Sequence, residues 1–112
     1  MQPCLPLNKQ FSEDQLARIL EQSVIYACAC PAQVCKTIFQ NRELFAYQTN
    51  CLNSTHTDAA VHRTIADCIR RTHAELEICL EDVLKLEGWN LLTLEMPVAL
   101  QKRILGDFNR GN

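Results

Sequence analysis

Apolar side chains recur at steps of three and four along most of this chain, the spacing that gathers them on one face of an α-helix. The first run opens at Ser12, which predicts an N-cap: Gln15, three residues on, completes a capping box, and Phe11 is placed as a hydrophobic staple. Leu16, Ile19, Leu20, Ser23 and Ala27 continue the stripe, with Val24 and Cys28 beside it. Pro31 ends or kinks this helix, because it lacks an amide proton and pushes Cys30 out of the α region; it also suits the first turn of a new helix. The second helix carries Val34, Ile38, Phe45 and Leu52, flanked by Cys35, Phe39 and Ala46, and closes near Asn53.

A polar turn follows, and Thr57 is the predicted N-cap of a third helix, with Asp58 near the positive end of its dipole. Val61, Ile65, Cys68, Thr72, Leu76, Cys79, Val83 and Leu86 form its expected core stripe, widened by Ile69, Leu80 and Leu84. Gly88 is suited to the left-handed residue that ends a helix, and Trp89 is expected to anchor the turn. A short fourth helix is expected from Pro97 to about Leu105, and residues 1–10, with Pro3 and Pro6, read as an extended arm.

The pattern predicts an all-α fold, an up-down helical bundle of three main helices plus a short C-terminal helix, in one domain spanning residues 1–112. At the helical rise the third helix would run about 45 Å against roughly 27 and 32 Å for the others, so it overhangs them. The segment from Trp89 to Phe108 could fold back over the overhang, and a second copy could also cover it, which makes a homodimer one expected assembly.

Composition narrows the partners. Eleven Lys and Arg against thirteen Asp and Glu, with Arg70 and Arg71 adjacent, give no basic stripe to neutralise several phosphates, so nucleic acid is not an expected ligand. No stretch approaches the roughly 20 apolar residues of a membrane span, and the first residues have neither a charged nor an unbroken apolar leader region. Seven cysteines fall short of a disulfide scaffold, and their odd number leaves one unpaired. A cytoplasmic location with reduced thiols is the expectation.

The candidate chemistry lies in Cys28, Cys30 and Cys35, clustered around Pro31. If the second and third helices are antiparallel across the turn at 53–56, Cys79 falls at the height of Cys30, whereas Cys51 and Cys68 lie too far along their helices. Cys28, Cys30, Cys35 and Cys79 are then the candidate metal ligands, with His73 in reserve. Such thiolates suit zinc, copper(I) or an iron–sulfur cluster, and Cys30 near a helix N-terminus would favour its thiolate. The C-x-C-x4-C spacing nevertheless matches neither the paired C-x2-C zinc pattern nor the ferredoxin spacings. Cysteine is also a small, commonly buried residue, and Cys68 and Cys79 fall on the expected core stripe.

No Glu-x-x-His motif supports a di-iron centre, and no phosphate loop or nucleophile elbow supports hydrolysis. His62 and His73 are about 16 Å apart along one helix, too far for a single ion, and each is expected to pair with a nearby carboxylate, Asp58 or Glu77.

Cys28 to Cys35, the segment Leu44-Phe45-Ala46-Tyr47-Gln48, His73 and the run Leu86-Glu87-Gly88-Trp89 together resemble small uncharacterised bacterial helical-bundle proteins over most of the chain. That resemblance implies no activity, ligand or catalytic residue. Copper-storage bundles differ, because their thiols recur at i and i+4 along the helices.

Two functions follow as expectations. One is a non-catalytic accessory or protein-interaction module, docking through the third helix and the Trp89 region against a protein partner or a second copy. The alternative is a thiol-based metal-binding or redox-sensing protein built on Cys28, Cys30 and Cys35.

Overall fold

The structure, a computed structural model, describes residues 6–26, 29–50 and 56–101. Within them lie three main helices, α1 (Glu13–Ile25), α2 (Ala29–Asn50) and α3 (His56–Glu87), and one short helical turn over 98–101; no strand occurs among the described residues. The all-α, up-down arrangement expected from the periodicity is the observed one.

The start of α1 follows its local sequence. Ser12 Oγ accepts from Gln15 N at 3.0 Å and Gln15 Oε1 accepts from Ser12 N at 2.8 Å, so both halves of the capping box form. Phe11 and Leu16, the two staple positions, are buried in the same core cluster. α1 is shorter than the sequence suggested and ends at Ile25 with Tyr26 as its C-cap. α2 starts at Ala29, which leaves Pro31 in its first turn and buried, where the missing amide proton interrupts no intrahelical hydrogen bond.

α3 ends as Gly88 predicted. Gly88 has φ +80°, its N–H donates to Lys85 O at 3.1 Å, and Trp89 N–H donates to Leu84 O at 2.9 Å. Those two bonds form a Schellman motif, and the apolar pair that usually seals it, here Leu84 and Trp89, lies in the core. Trp89 Nε1 donates to Glu87 Oε1 at 2.9 Å, which satisfies the indole's one polar atom.

The expected core face of α3 is rotated. Its buried residues are Ala66, Ile69, His73, Glu77, Leu80 and Leu84, whereas Val61, Cys68, Cys79 and Leu86 are exposed. Cys68 and Cys79 are therefore not core residues. The cause is that His73 and Glu77 occupy the middle of the buried face, where a pattern search that places polar residues outside turns the stripe toward Cys68 and Cys79. α2 behaves alike: Arg42 and Gln48 are buried on one face with Cys35, Ile38 and Phe45.

The main core joins Phe11, Leu16, Ile19, Cys35, Ile38, Leu80 and Leu84 to Trp89, Leu94 and Met96 of the segment after α3. That segment folds against α1, with Met96 N–H donating to buried Gln22 Oε1 at 3.1 Å and Arg18 3.5 Å from Glu95. Its described part thus packs beside α1 at the C-terminal end of α3, away from the overhang formed by the N-terminal half of α3; residues 102–108 of the segment expected to cover that overhang lie outside the described residues. There a smaller cluster of Phe45, Ala66 and Ile69 is closed by Ile65 and by Leu7 from the arm. The molecule measures 60 × 30 × 19 Å with a radius of gyration of 17.9 Å, against roughly 13 Å for a compact domain of this length.

Candidate functional site

The described part of the arm, residues 6–10, runs on through Phe11 and Ser12 into α1, and together residues 6–12 form a strap held by side chains of α2 and α3. Glu77 Oε2 accepts from the backbone N–H of Gln10 at 2.7 Å and of Phe11 at 2.9 Å. Arg42 Nη2 donates to Phe11 O at 2.6 Å and to the same Glu77 oxygen at 3.2 Å. One carboxylate and one guanidinium thereby satisfy both polar edges of the strap where it turns into α1. Their side chains are 5% and 7% exposed, and a bridge this dry depends on hydrogen bonds from the protein in place of those water would supply.

His73 completes the cluster. Arg42 Nε donates to His73 Nε2 at 3.0 Å, and His73 Nδ1 lies 3.4 Å from Glu77 Oε1. Arginine can only donate, so His73 Nε2 carries its lone pair toward Arg42, and the ring is the neutral tautomer with its proton on Nδ1, facing Glu77. Burial pushes the His73 pKa below its ordinary 6.5; Glu77 opposes this, and the positive charges of Arg42 and Lys9 reinforce it. Arg42 Nη1 is buried without a hydrogen-bond partner, so the guanidinium is one acceptor short.

A second anchor lies nearer the strap's start. Arg70 Nη1 donates to Pro6 O at 3.2 Å while its guanidinium sits 4.9 Å over the Phe45 ring. Between the anchors, Leu7, Asn8, Lys9 and Gln10 with Arg70, Ala74 and Glu77 border an open cavity of about 430 Å³. Gln10 Nε2 donates to Glu81 Oε2 at 2.8 Å, and this bond together with Lys85 lowers the Glu81 pKa. The polar cluster is consumed by the protein's own backbone and side chains: it acts as a clamp.

The cysteine set is not assembled among the described residues. Cys28 lies outside them; Cys30 and Cys79 are exposed, and Cys35 is fully buried. No group of three or more His, Cys, Asp or Glu side chains among the described residues is placed to hold a metal ion. The helix register explains the separation of Cys30 from Cys79. Arg42 faces His73 and Asn41 meets Thr72, so Cys35 stands near the height of residues 78–80 and Cys79 falls about 6–9 Å short of the height of Cys30. Burial pushes the Cys35 thiol up to about 12, with Arg42 pulling the other way, so it stays protonated at neutral pH and packs as a small apolar group. His73, the reserve ligand, has both ring nitrogens engaged. His62 turns to α2 and lies 2.6 Å from Gln48 Oε1.

Trp89, the interaction candidate, is 5% exposed and belongs to the core, so its indole offers no docking face. Arg42 was not singled out by the sequence, although a signal existed: Arg42 stands on the apolar stripe between Ile38 and Phe45, and His73 and Glu77 stand between Ile69 and Leu80. Opposite charges on two facing stripes of a helical hairpin mark a buried pair.

No helix among the described residues is long and apolar enough to cross a membrane. No family model, curated protein or solved structure matches the chain.

Proposed function

We propose that the protein is a non-catalytic helical module that works by association, with a second copy of the same chain as its partner. What supports this reading is where apolar surface collects. Of ten large hydrophobic residues exposed among the described residues, six stand at one end of the bundle: Val24 and Ile25 at the end of α1, Leu86 at the end of α3, and Leu91, Leu92 and Val98 beyond it. Leu86 and Leu92 are 87% and 95% exposed, an arrangement that isolated surface leucines do not need but an interface does. The formal net charge of −2 sets little repulsion against self-association.

Sedimentation velocity over a range of concentrations tests the reading. A dimer that Leu86→Glu with Leu92→Glu converts to a folded monomer supports it. A wild-type monomer at every concentration, or a dimer indifferent to the double substitution, overturns it.

A further inference from the structure

We propose that the Arg42, His73 and Glu77 cluster is a proton-sensitive latch, and that protonating His73 releases residues 6–10 and the backbone of Phe11 from the α2–α3 hairpin while the main core, which holds the Phe11 ring, stays folded. The geometry makes one protonation state a condition of closure. His73 Nε2 is 3.0 Å from Arg42 Nε, a group that can only donate. A proton on Nε2 sets two donors against each other, and one must withdraw.

Arg42 is the member placed to move. It is already buried with Nη1 unsatisfied, whereas protonated His73 keeps Glu77 Oε1 as a partner at 3.4 Å from Nδ1. When Arg42 withdraws, the strap loses the donor on Phe11 O, and Glu77 loses the guanidinium that helps it hold Gln10 and Phe11. The charged groups acting on His73 are Glu77 on its own helix, Arg42 from α2 and Lys9 from the strap; the two cations oppose the imidazolium and Glu77 favours it. Beyond the latch, residues 6–10 are held by Arg70 on Pro6 O, by Gln10 Nε2 on Glu81 Oε2 and by Leu7 against a small apolar cluster; of the strap, the main core includes Phe11 but neither Leu7 nor Pro6.

The sign follows from linkage. The closed state holds His73 neutral with a lowered pKa, and the released state restores it toward 6.5. Closure is therefore fully favoured above that value and weakens as pH falls below it, by up to about tenfold in the open-to-closed ratio per pH unit until the closed-state pKa is passed.

Amide exchange and histidine nitrogen shifts of the full ¹⁵N-labelled chain, followed from about pH 7.5 to 5, read the latch directly. The expected result is an Nδ1–H tautomer at the upper pH and a fall in the protection factors of the Gln10 and Phe11 amides below about 6.5, with those of Leu80 and Leu84 retained. His73→Gln, whose side-chain oxygen can accept from Arg42 but does not titrate in this range, is expected to remove the pH dependence. Strap protection that persists while His73 protonates, an Nε2–H tautomer at the upper pH, or loss of Leu80 and Leu84 protection in step with the strap each overturns the proposal. Should His73→Gln fail to fold, the wild-type tautomer and the strap-against-core comparison still decide it.

Discussion

The two halves of the α2–α3 hairpin are built on different principles. Beside the C-terminal half of α3, α2 is covered by α1 and by the segment from Trp89 to Met96, and the contact is a continuous apolar core centred on Leu16, Ile19, Ile38, Leu80 and Leu84. Beside the N-terminal half, α1 is gone: it begins at the height of Glu77, and along the roughly 30 Å of α3 before that point α3 packs against α2, with the extended strap held beside it as far as Arg70 and Ile65. There the apolar cluster is small, and the strap is fixed by polar side chains bonding its backbone. A helix carries its own backbone hydrogen bonds, so an apolar stripe is enough to hold it; an extended strap does not, and each buried N–H or C=O needs a partner supplied from outside. Glu77 and Arg42 supply those partners, which is why buried charge appears where α1 starts.

The sharpest way to break this contrast is at its junction. Glu77→Ala leaves Arg42 buried without its counter-charge and frees two strap amides, so a loss of about 3–5 kcal/mol is expected in urea unfolding followed by Trp89 fluorescence. A loss under about 1 kcal/mol would mean that Arg42 simply turns out to water and the clamp contributes little.

Truncation within each half comes next. Leu84→Ala removes a fully buried side chain from the large core and is expected to cost about 2–5 kcal/mol. Ile69→Ala, in the small cluster under the strap, is expected near the lower end of that range, because Leu7 can follow the shrinking surface. Hydrogen exchange should separate them: the first variant lowers protection throughout, whereas the second exposes Phe45 and Ile65 amides before those of Leu80. Equal and global effects would erase the distinction between the halves.

Smaller effects test the element ends. Gly88→Ala places a Cβ 3.9 Å from Pro97 Cγ, an ordinary contact, so its cost of about 1–2 kcal/mol comes from the left-handed backbone at φ +80°. A thermal melt that leaves the midpoint unchanged would show that the Schellman end relaxes freely. Ser12→Ala removes the capping acceptor of α1 and should cost about 1 kcal/mol, measured by the same melt.

Much of the architecture was legible because its signals are local. The capping box at Ser12 and Gln15, the proline in the first turn of α2 and the glycine stop at Gly88 each depend on neighbours within a few residues, and all three occur, although Cys30, expected to be pushed out of the α region by Pro31, is the second residue of α2. The cysteine set was a long-range reading, resting on an assumed level pairing of two helices. The real pairing is offset by about four to six residues, more than one turn, which separates Cys79 from Cys30 in height. The burial of Trp89 was missed for a related reason: the turn it anchors folds inward onto α1, and no periodic pattern reports the direction of a turn.

By itself the sequence determined that this chain is helical, where α1 opens and α3 closes, and that apolar stripes on the helices must meet, because propensity, capping and periodicity act over one or two turns. Only the tertiary structure decided which way those stripes face. Arg42, His73 and Glu77 are polar in every local sense, and they are buried because three separate elements bring their donors and acceptors into mutual reach. Once they satisfy one another, the buried face of α3 turns toward them, and Cys68 and Cys79 are left at the surface.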